Sequence, residues 1–247
     1  MRYTVCEKVM PVETNDKRIF GKAFVPENIS GKLKAVILSH GYNSSFEHVS
    51  DMAFALAEKG VFAYCYDFCG GSTISKSSGK SVDMSINSEI SDLKDVFEFI
   101  KSLEIVDENN IYLYGESQGG FVSALTAAEL GEAVKGIYLL YPAFCIPDDW
   151  KKRMDEGLPE TFDVMGMTLS KKFCLGLPEY DVFEFVKKYK GKAAVFHGDS
   201  DSLVSLDYSE KAAQSFENST LQIFRNEGHG FSKEARAELV KQICSDF

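Results

Sequence analysis

Apolar and polar positions along the chain fall into two alternating periods. Short apolar runs at 35–39, 61–66, 111–114, 136–141, 193–197 and 221–224 each read as a buried strand. Between them lie stretches with helical spacing. The clearest, 83–103, places Ile86, Ile90, Leu93, Phe97 and Ile100 at successive steps of four and three. Further helices are predicted near 48–59, 181–188, 208–216 and 233–245, and one begins directly after residue 117. An N-terminal β region covers about 3–9 and 18–25. Strand and helix in alternation imply an α/β class with a mostly parallel, doubly wound sheet.

The alternation breaks between residues 142 and 190. The expected organisation is one core formed by 1–141 and 191–247, with 142–190 as a small lid or cap insertion. An insertion of this kind sits over the C-terminal ends of the strands, where ligands bind in such sheets. It holds the only tryptophan, Trp150, with Phe144, Phe162 and Phe173, and three of the seven methionines, Met154, Met165 and Met167. Phe144, Trp150 and Met165 are therefore candidates for an apolar substrate pocket. Ordinary packing of a small subdomain accounts for such residues equally well.

Composition narrows the classes. At 247 residues and 45% hydrophobic content, the chain suits one large domain with one core. No apolar run reaches eighteen residues, so no membrane span is expected, and the N-terminus shows no continuous apolar signal segment. A formal charge of -10 excludes a nucleic-acid partner, which needs a basic footprint. The six cysteines are scattered, and the closest pair, Cys65 and Cys69, has no third ligand nearby. Free thiols in a reducing cytoplasm are expected, without zinc or any other cofactor. The Gly/Ser-rich stretch 67–81 reads as a flexible loop, and its Gly79-Lys80-Ser81 lacks the spacing of a phosphate-binding loop.

Candidate chemistry centres on Gly115-Glu116-Ser117-Gln118-Gly119. A strand before it and a helix after it make the strand–turn–helix called a nucleophile elbow. The glycines allow a turn too tight for nearby Cβ atoms, and the serine Oγ is lifted clear of the sheet edge. In this arrangement the acid and then the histidine follow the serine along the chain. Of the four histidines, His40 and His48 precede Ser117, and His197 precedes any acid in its own loop. His229, between two glycines at a strand's end, is left as the base. Asp199 and Asp201 both qualify as the acid by position, and Asp201, further out in the loop, is the one predicted to face His229. The oxyanion donors are expected to be the backbone N–H groups of Gln118 and Tyr42, the latter after the His40-Gly41 turn, with His40 bracing the loop.

His40-Gly41-Tyr42, Gly115 to Gly120, His197 to Val204 and Glu227 to Ser232 together resemble bacterial α/β-hydrolases of the cinnamoyl (feruloyl) esterase type. The resemblance covers nearly the whole chain except the insertion. It implies an acid four residues after the histidine of the second His-Gly turn, which is Asp201, and oxyanion donors at Tyr42 and Gln118. It also implies cleavage of small aromatic acids from ester linkages beneath a short lid. Two departures stand out. Phe68-Cys69-Gly70-Gly71-Ser72 replaces the Gly-His-Gly turn usual in such esterases, and 145–177 does not follow the family's lid. Asp148, Asp149 and Trp150 are the insertion's candidates for contact with a phenolic ring. The expected partner is a small-molecule ester, and homodimerisation is left open. Rival readings are an oligopeptidase-like amide hydrolase, an acyltransferase or thioesterase on the same residues, and a binding protein that kept the fold without turnover.

Overall fold

The computed structural model describes residues 2–174 and 181–245, without the Cys174 side chain. Residues 175–180 of the predicted insertion, and the predicted thiol of Cys174, lie outside the described part. In chain order the strands are β1 Val5–Val9, β2 Val12–Glu13, β3 Arg18–Ile19, β4 Gly21–Pro26, β5 Leu33–Ser39, β6 Phe62–Tyr66, β7 Val106–Glu116, β8 Gly136–Leu140, β9 Thr161–Val164, β10 Met167–Ser170, β11 Lys192–Gly198 and β12 Asn218–Phe224. The helices are α1 Phe46–Ala57, α2 Ile86–Lys101, α3 Gln118–Leu130, α4 Ile146–Asp155, α5 Val182–Val186, α6 Leu206–Ser215 and α7 Lys233–Cys244.

Eight strands form one sheet in the order β1-β4-β6-β5-β7-β8-β11-β12. From β6 to β12 all neighbours run parallel, and β4 is antiparallel to both β1 and β6. Burial on both faces explains the unbroken apolar runs of the central strands. On β5, Ala35 and Ile37 join the core beneath α2 and α3, while Val36 and Leu38 join the one beneath α1 and α7. On β7, Ile111 and Leu113 divide from Tyr112 and Tyr114 in the same way. This is the period of two expected of a pleated strand.

One strand starts earlier than its apolar run predicts, for a physical reason. Strand β7 starts at Val106 rather than 111, because Val106 pairs with Leu33 ahead of a polar stretch that interrupts the register. Asp107 accepts hydrogen bonds from Asn109 and Asn110 there, so the apolar signal is lost while the pairing resumes at Ile111. The insertion carries its own helix α4 and hairpin β9–β10, and its buried side chains Phe144, Ile146, Trp150, Met167 and Phe173 are continuous with the α2/α3 core. Helix α5 packs against α3 and α6 as part of the ordinary helical layer.

The loop predicted to be flexible is tied down instead. Asp67, fully buried at the end of β6, accepts from Phe46 N–H at 2.7 Å and from Lys76 N–H at 2.8 Å. Ser77 Oγ donates to the Asp67 carbonyl, and Asp92 of α2 accepts from Cys69 N–H at 2.8 Å. Asp67 thereby supplies the cap that the Ser45 side chain does not give α1. No helix among the described residues is long and apolar enough to cross a membrane. The described cysteines, Cys6, Cys65, Cys69, Cys145 and Cys244, are free thiols.

Removing the Asp67 carboxylate strands two backbone donors in a buried region, a loss worth about 3 kcal/mol. Asp67→Ala is expected to lower the melting temperature by roughly 6–12 °C in a domain of this size. A thermal unfolding scan that shows no shift would mean that the loop does not depend on this anchor.

Candidate active site

Strand β7 ends at Glu116, and the chain turns into α3 through Ser117, whose backbone takes φ 53° and ψ -118°. A non-glycine residue with positive φ is strained and persists only where its surroundings hold it. Here they do. Ser117 N–H donates to the Leu140 carbonyl at 2.9 Å, and its own carbonyl accepts from Ala143 at 3.0 Å and Phe121 at 3.1 Å. A Cβ on Gly115 would lie 2.2 Å from the Gly119 carbonyl oxygen, and one on Gly119 would lie 2.3 Å from the His40 carbonyl oxygen. Only glycine fits at either place.

The predicted partners converge on this turn. His229 Nε2 lies 2.9 Å from Ser117 Oγ, and His229 Nδ1 lies 2.8 Å from Asp201 Oδ2. The second oxygen of Asp201 accepts from Leu203 N–H at 2.8 Å and Val204 N–H at 3.0 Å. With Asp201 buried and acceptor-only, Nδ1 carries the proton and Nε2 is free to accept from the serine hydroxyl. The competing acid, Asp199, instead accepts from Asn226 N–H at 2.7 Å and braces the loop that carries His229.

The other two early expectations also find physical partners. His40 is buried; its Nε2 accepts from Phe68 N–H at 3.2 Å and its Nδ1 donates to the Gly41 carbonyl at 2.7 Å. Burial lowers its pKa, which keeps it a neutral brace. His197 is buried too, bonded to Ser209 Oγ at 2.7 Å and the Val204 carbonyl at 3.0 Å, with burial lowering its pKa. Gly41 packs against the Ser117 turn, since a Cβ there would sit 3.3 Å from Ser117 Cβ. That brings the next residue, Tyr42, into the same cleft as Ser117, and Gln118 opens α3 directly after the serine.

Both of these loops are held from behind. Gln118 Nε2 donates to the two oxygens of Glu89 at 2.9 and 2.8 Å. Glu89 is fully buried, and burial raises its pKa well above the usual carboxylate range against the Gln118 hydrogen bonds. Tyr42 Oη donates to the Val164 carbonyl at 2.9 Å, and Asn43 Nδ2 to the Met165 carbonyl at 3.2 Å. The hairpin β9–β10 therefore closes one wall of a cleft of about 480 Å³ above Ser117. Met165, 71% exposed at the hairpin tip, lines this cleft with Leu203, Val204 and Tyr141. Phe144 and Trp150 do not line it. Phe144 is buried between Phe121 and Phe183, and Trp150 packs against Phe162 and Phe173. Phe144 is consumed by the core at α3 and α5 and Trp150 by the core of the insertion, and Asp148 is engaged by Tyr208 Oη at 2.9 Å.

One group escaped sequence reasoning altogether. Glu116, 1% exposed, accepts both terminal nitrogens of Arg236 at 2.8 and 2.9 Å, Tyr114 Oη at 2.7 Å and Tyr141 Oη at 2.5 Å. His48 Nε2 completes the set at 3.2 Å. Burial opposes ionisation, but the His48 and Arg236 hydrogen bonds and charges outweigh it and hold the carboxyl far below its usual range. The Tyr141 ring packs on His229 at a centroid distance of 4.6 Å, and Arg236 Nε lies 3.4 Å from the Phe231 carbonyl. Glu116 thus braces both sides of the His229 loop. The available signal was an acidic residue ending an apolar strand directly before the serine.

The Hydrolase_4 family, described as serine aminopeptidase S33, matches residues 31–175, more than half of the chain. Est1E from Butyrivibrio proteoclasticus, solved with ferulic acid bound, is 25% identical with a TM-score of 0.87, covering 96% of this chain and 98% of that one. The α/β hydrolase GrgF from Penicillium sp. sh18 is 18% identical, with a TM-score of 0.78 and 96% of each chain covered. A dienelactone hydrolase from Anabaena variabilis is 15% identical, with a TM-score of 0.70, covering 98% of this chain and 96% of that one. A search of curated proteins finds no match.

Glu116→Gln keeps the shape but removes the charge opposite Arg236, which is expected to cost about 3 kcal/mol at pH 7. The folded-state pKa lies below the unfolded one of about 4.3, so the carboxylate's contribution is complete above that value and is lost as pH falls toward the folded value. Urea unfolding should show the gap between variant and wild type narrowing from pH 5 to pH 3. A gap independent of pH would contradict the ionised assignment.

Proposed function

The chain belongs to the Hydrolase_4 family of serine aminopeptidase (S33) type, and from that premise we propose that this serine hydrolase cleaves carboxylic esters of small aromatic acids. The observation that carries the reading is the continuous hydrogen-bonded series from Ser117 Oγ through His229 to Asp201. In the proposed reaction His229 Nε2 takes the serine proton as Oγ attacks the ester carbonyl. The imidazolium that forms is stabilised by Asp201 and returns the proton to the leaving alcohol. The tetrahedral oxyanion is held by the backbone N–H groups of Tyr42 and Gln118, assisted by the positive end of α3. Water, activated by the same imidazole, then frees the acid from the acyl-serine.

The aromatic-acid part of the reading is supported by the likeness to Est1E with ferulic acid bound. It is also supported by the size of the cleft, which matches small-ligand pockets, and by its apolar walls at Tyr141, Met165, Leu203 and Val204. The family's description as serine aminopeptidase favours a second reading, in which the same residues cut an amide at a peptide N-terminus.

Ser117→Ala is expected to reduce ester turnover by at least about a thousandfold while leaving the melting curve intact. A fluorophosphonate probe should label the wild type at Ser117 and leave the variant unlabelled. Kinetics with 4-nitrophenyl esters from acetyl to feruloyl, beside aminoacyl 4-nitroanilides, separates the two readings. Faster turnover of the anilides would replace the esterase assignment with the peptidase one.

A further inference from the structure

His48 stands on the first turn of α1, lines the cleft beside Ser117 and is half-exposed there. Its Nε2 is committed to Glu116, a carboxylate that already receives a bidentate Arg236. Glu116 therefore has two cationic partners when the imidazole is protonated, and the cluster then carries a surplus positive charge. Arg236 and Glu116 are turned inward, with side-chain exposures of 21% and 1%, whereas His48 keeps 51%. The surplus charge thus meets the cleft at the imidazole. Of the other ionisable groups lining the cleft, Glu116 and Tyr141 bond each other and His229 is engaged by Ser117 and Asp201. Tyr42 has its hydroxyl on the hairpin.

The geometry points to His48 as a substrate-binding residue that presents its Nδ1–H to a carboxylate carried by the ester, on either its acyl or its alcohol part. This deepens the esterase reading and rests on it. Nε2 must donate to Glu116, so protonation of the ring places its second proton on Nδ1, the nitrogen not held by the carboxylate. The hydrogen bond to Glu116 raises the His48 pKa, with burial and the Arg236 charge opposing. The groups around the ring are Glu116 and Tyr114 from β7, Arg236 from α7, Tyr141 after β8 and His40 after β5. On α1 itself Asp51 lies one turn along, and Glu47 is engaged by Lys76. The exposed apolar rim at Met165 and Leu203 gives the uncharged body of such a substrate a surface to cover.

Two pairs of esters test this: 4-acetoxybenzoate against 4-acetoxybenzamide, and the phenyl monoester of succinate against the phenyl ester of succinamic acid. At pH 6, at least one pair should favour the carboxylate by about tenfold in kcat/KM. In His48→Gln, and in His48→Asn as a second variant, that ratio should fall to about one, whatever the absolute rates. Equal rates within both pairs in the wild type, or a preference that survives both variants, would overturn the inference. If no ester is turned over, the esterase reading itself has failed, and benzoate titration of the wild type followed by histidine NMR still reads the site. Saturable shifts of the His48 ring signals support it; unmoved His48 signals refute it.

Discussion

Two lengths of backbone meet at Ser117 with no space for a Cβ between them. Gly115 sits against the Gly119 carbonyl, and Gly119 against the carbonyls of Ser39 and His40. The start of α3 is thereby pressed onto the C-terminal end of β5, and Ser117 is forced into a positive-φ conformation. That strain has a structural use. It points the hydroxyl away from the sheet and toward His229, while α3 keeps its N-terminus directed at the same spot. The loop that bears Tyr42 is brought in by the same contact, since it continues directly from the carbonyls that Gly119 touches. Ser117 and the loop that bears Tyr42 are therefore set by one packing event.

The other half of the site depends on charge. The loops that carry Asp201 and His229 leave the ends of β11 and β12, and β12 is the edge strand of the sheet. An edge offers little packing to fix a loop. Glu116 compensates by bonding Tyr141, which packs on His229, and Arg236, which reaches the carbonyl of Phe231. A carboxylate buried this deeply is tolerable only with its partners present, so its cost couples α7 and the His229 loop to β7. Glu116 thus positions His229 through two intermediaries.

The arrangement around Ser117 was legible in the sequence wherever local pattern and chain order act together. Gly115 to Gly119 between a strand and a helix located the serine, and the order constraint reduced four histidines to His229. The parallel core was legible because strands buried on both faces are apolar throughout. Features made by contacts between distant segments were not. Nothing local to Glu116 announces Arg236, 120 residues away, and nothing in the Gly/Ser-rich loop announces that Asp67 and Asp92 will hold it. The insertion was misread in part for a related reason. An aromatic residue intended for a pocket and one intended for a core have the same composition signature, and only packing assigns Phe144 and Trp150 to the core while Met165 reaches the cleft.

The hairpin β9–β10 is held in a way that leaves its side chains free to vary. Its tip is fastened to the loop after β5 by Tyr42 and Asn43, and both bonds end on backbone carbonyls, those of Val164 and Met165. Its flank is fastened in the same manner, with Ser81 Oγ donating to the Thr168 carbonyl. A carbonyl acceptor is indifferent to the side chain it belongs to. The identity of the residue at 165 is then free to vary without loosening Tyr42, as long as it tolerates the positive φ of 45° found there. The wall of the cleft can be rebuilt in sequence while the backbone beside Ser117 keeps its place.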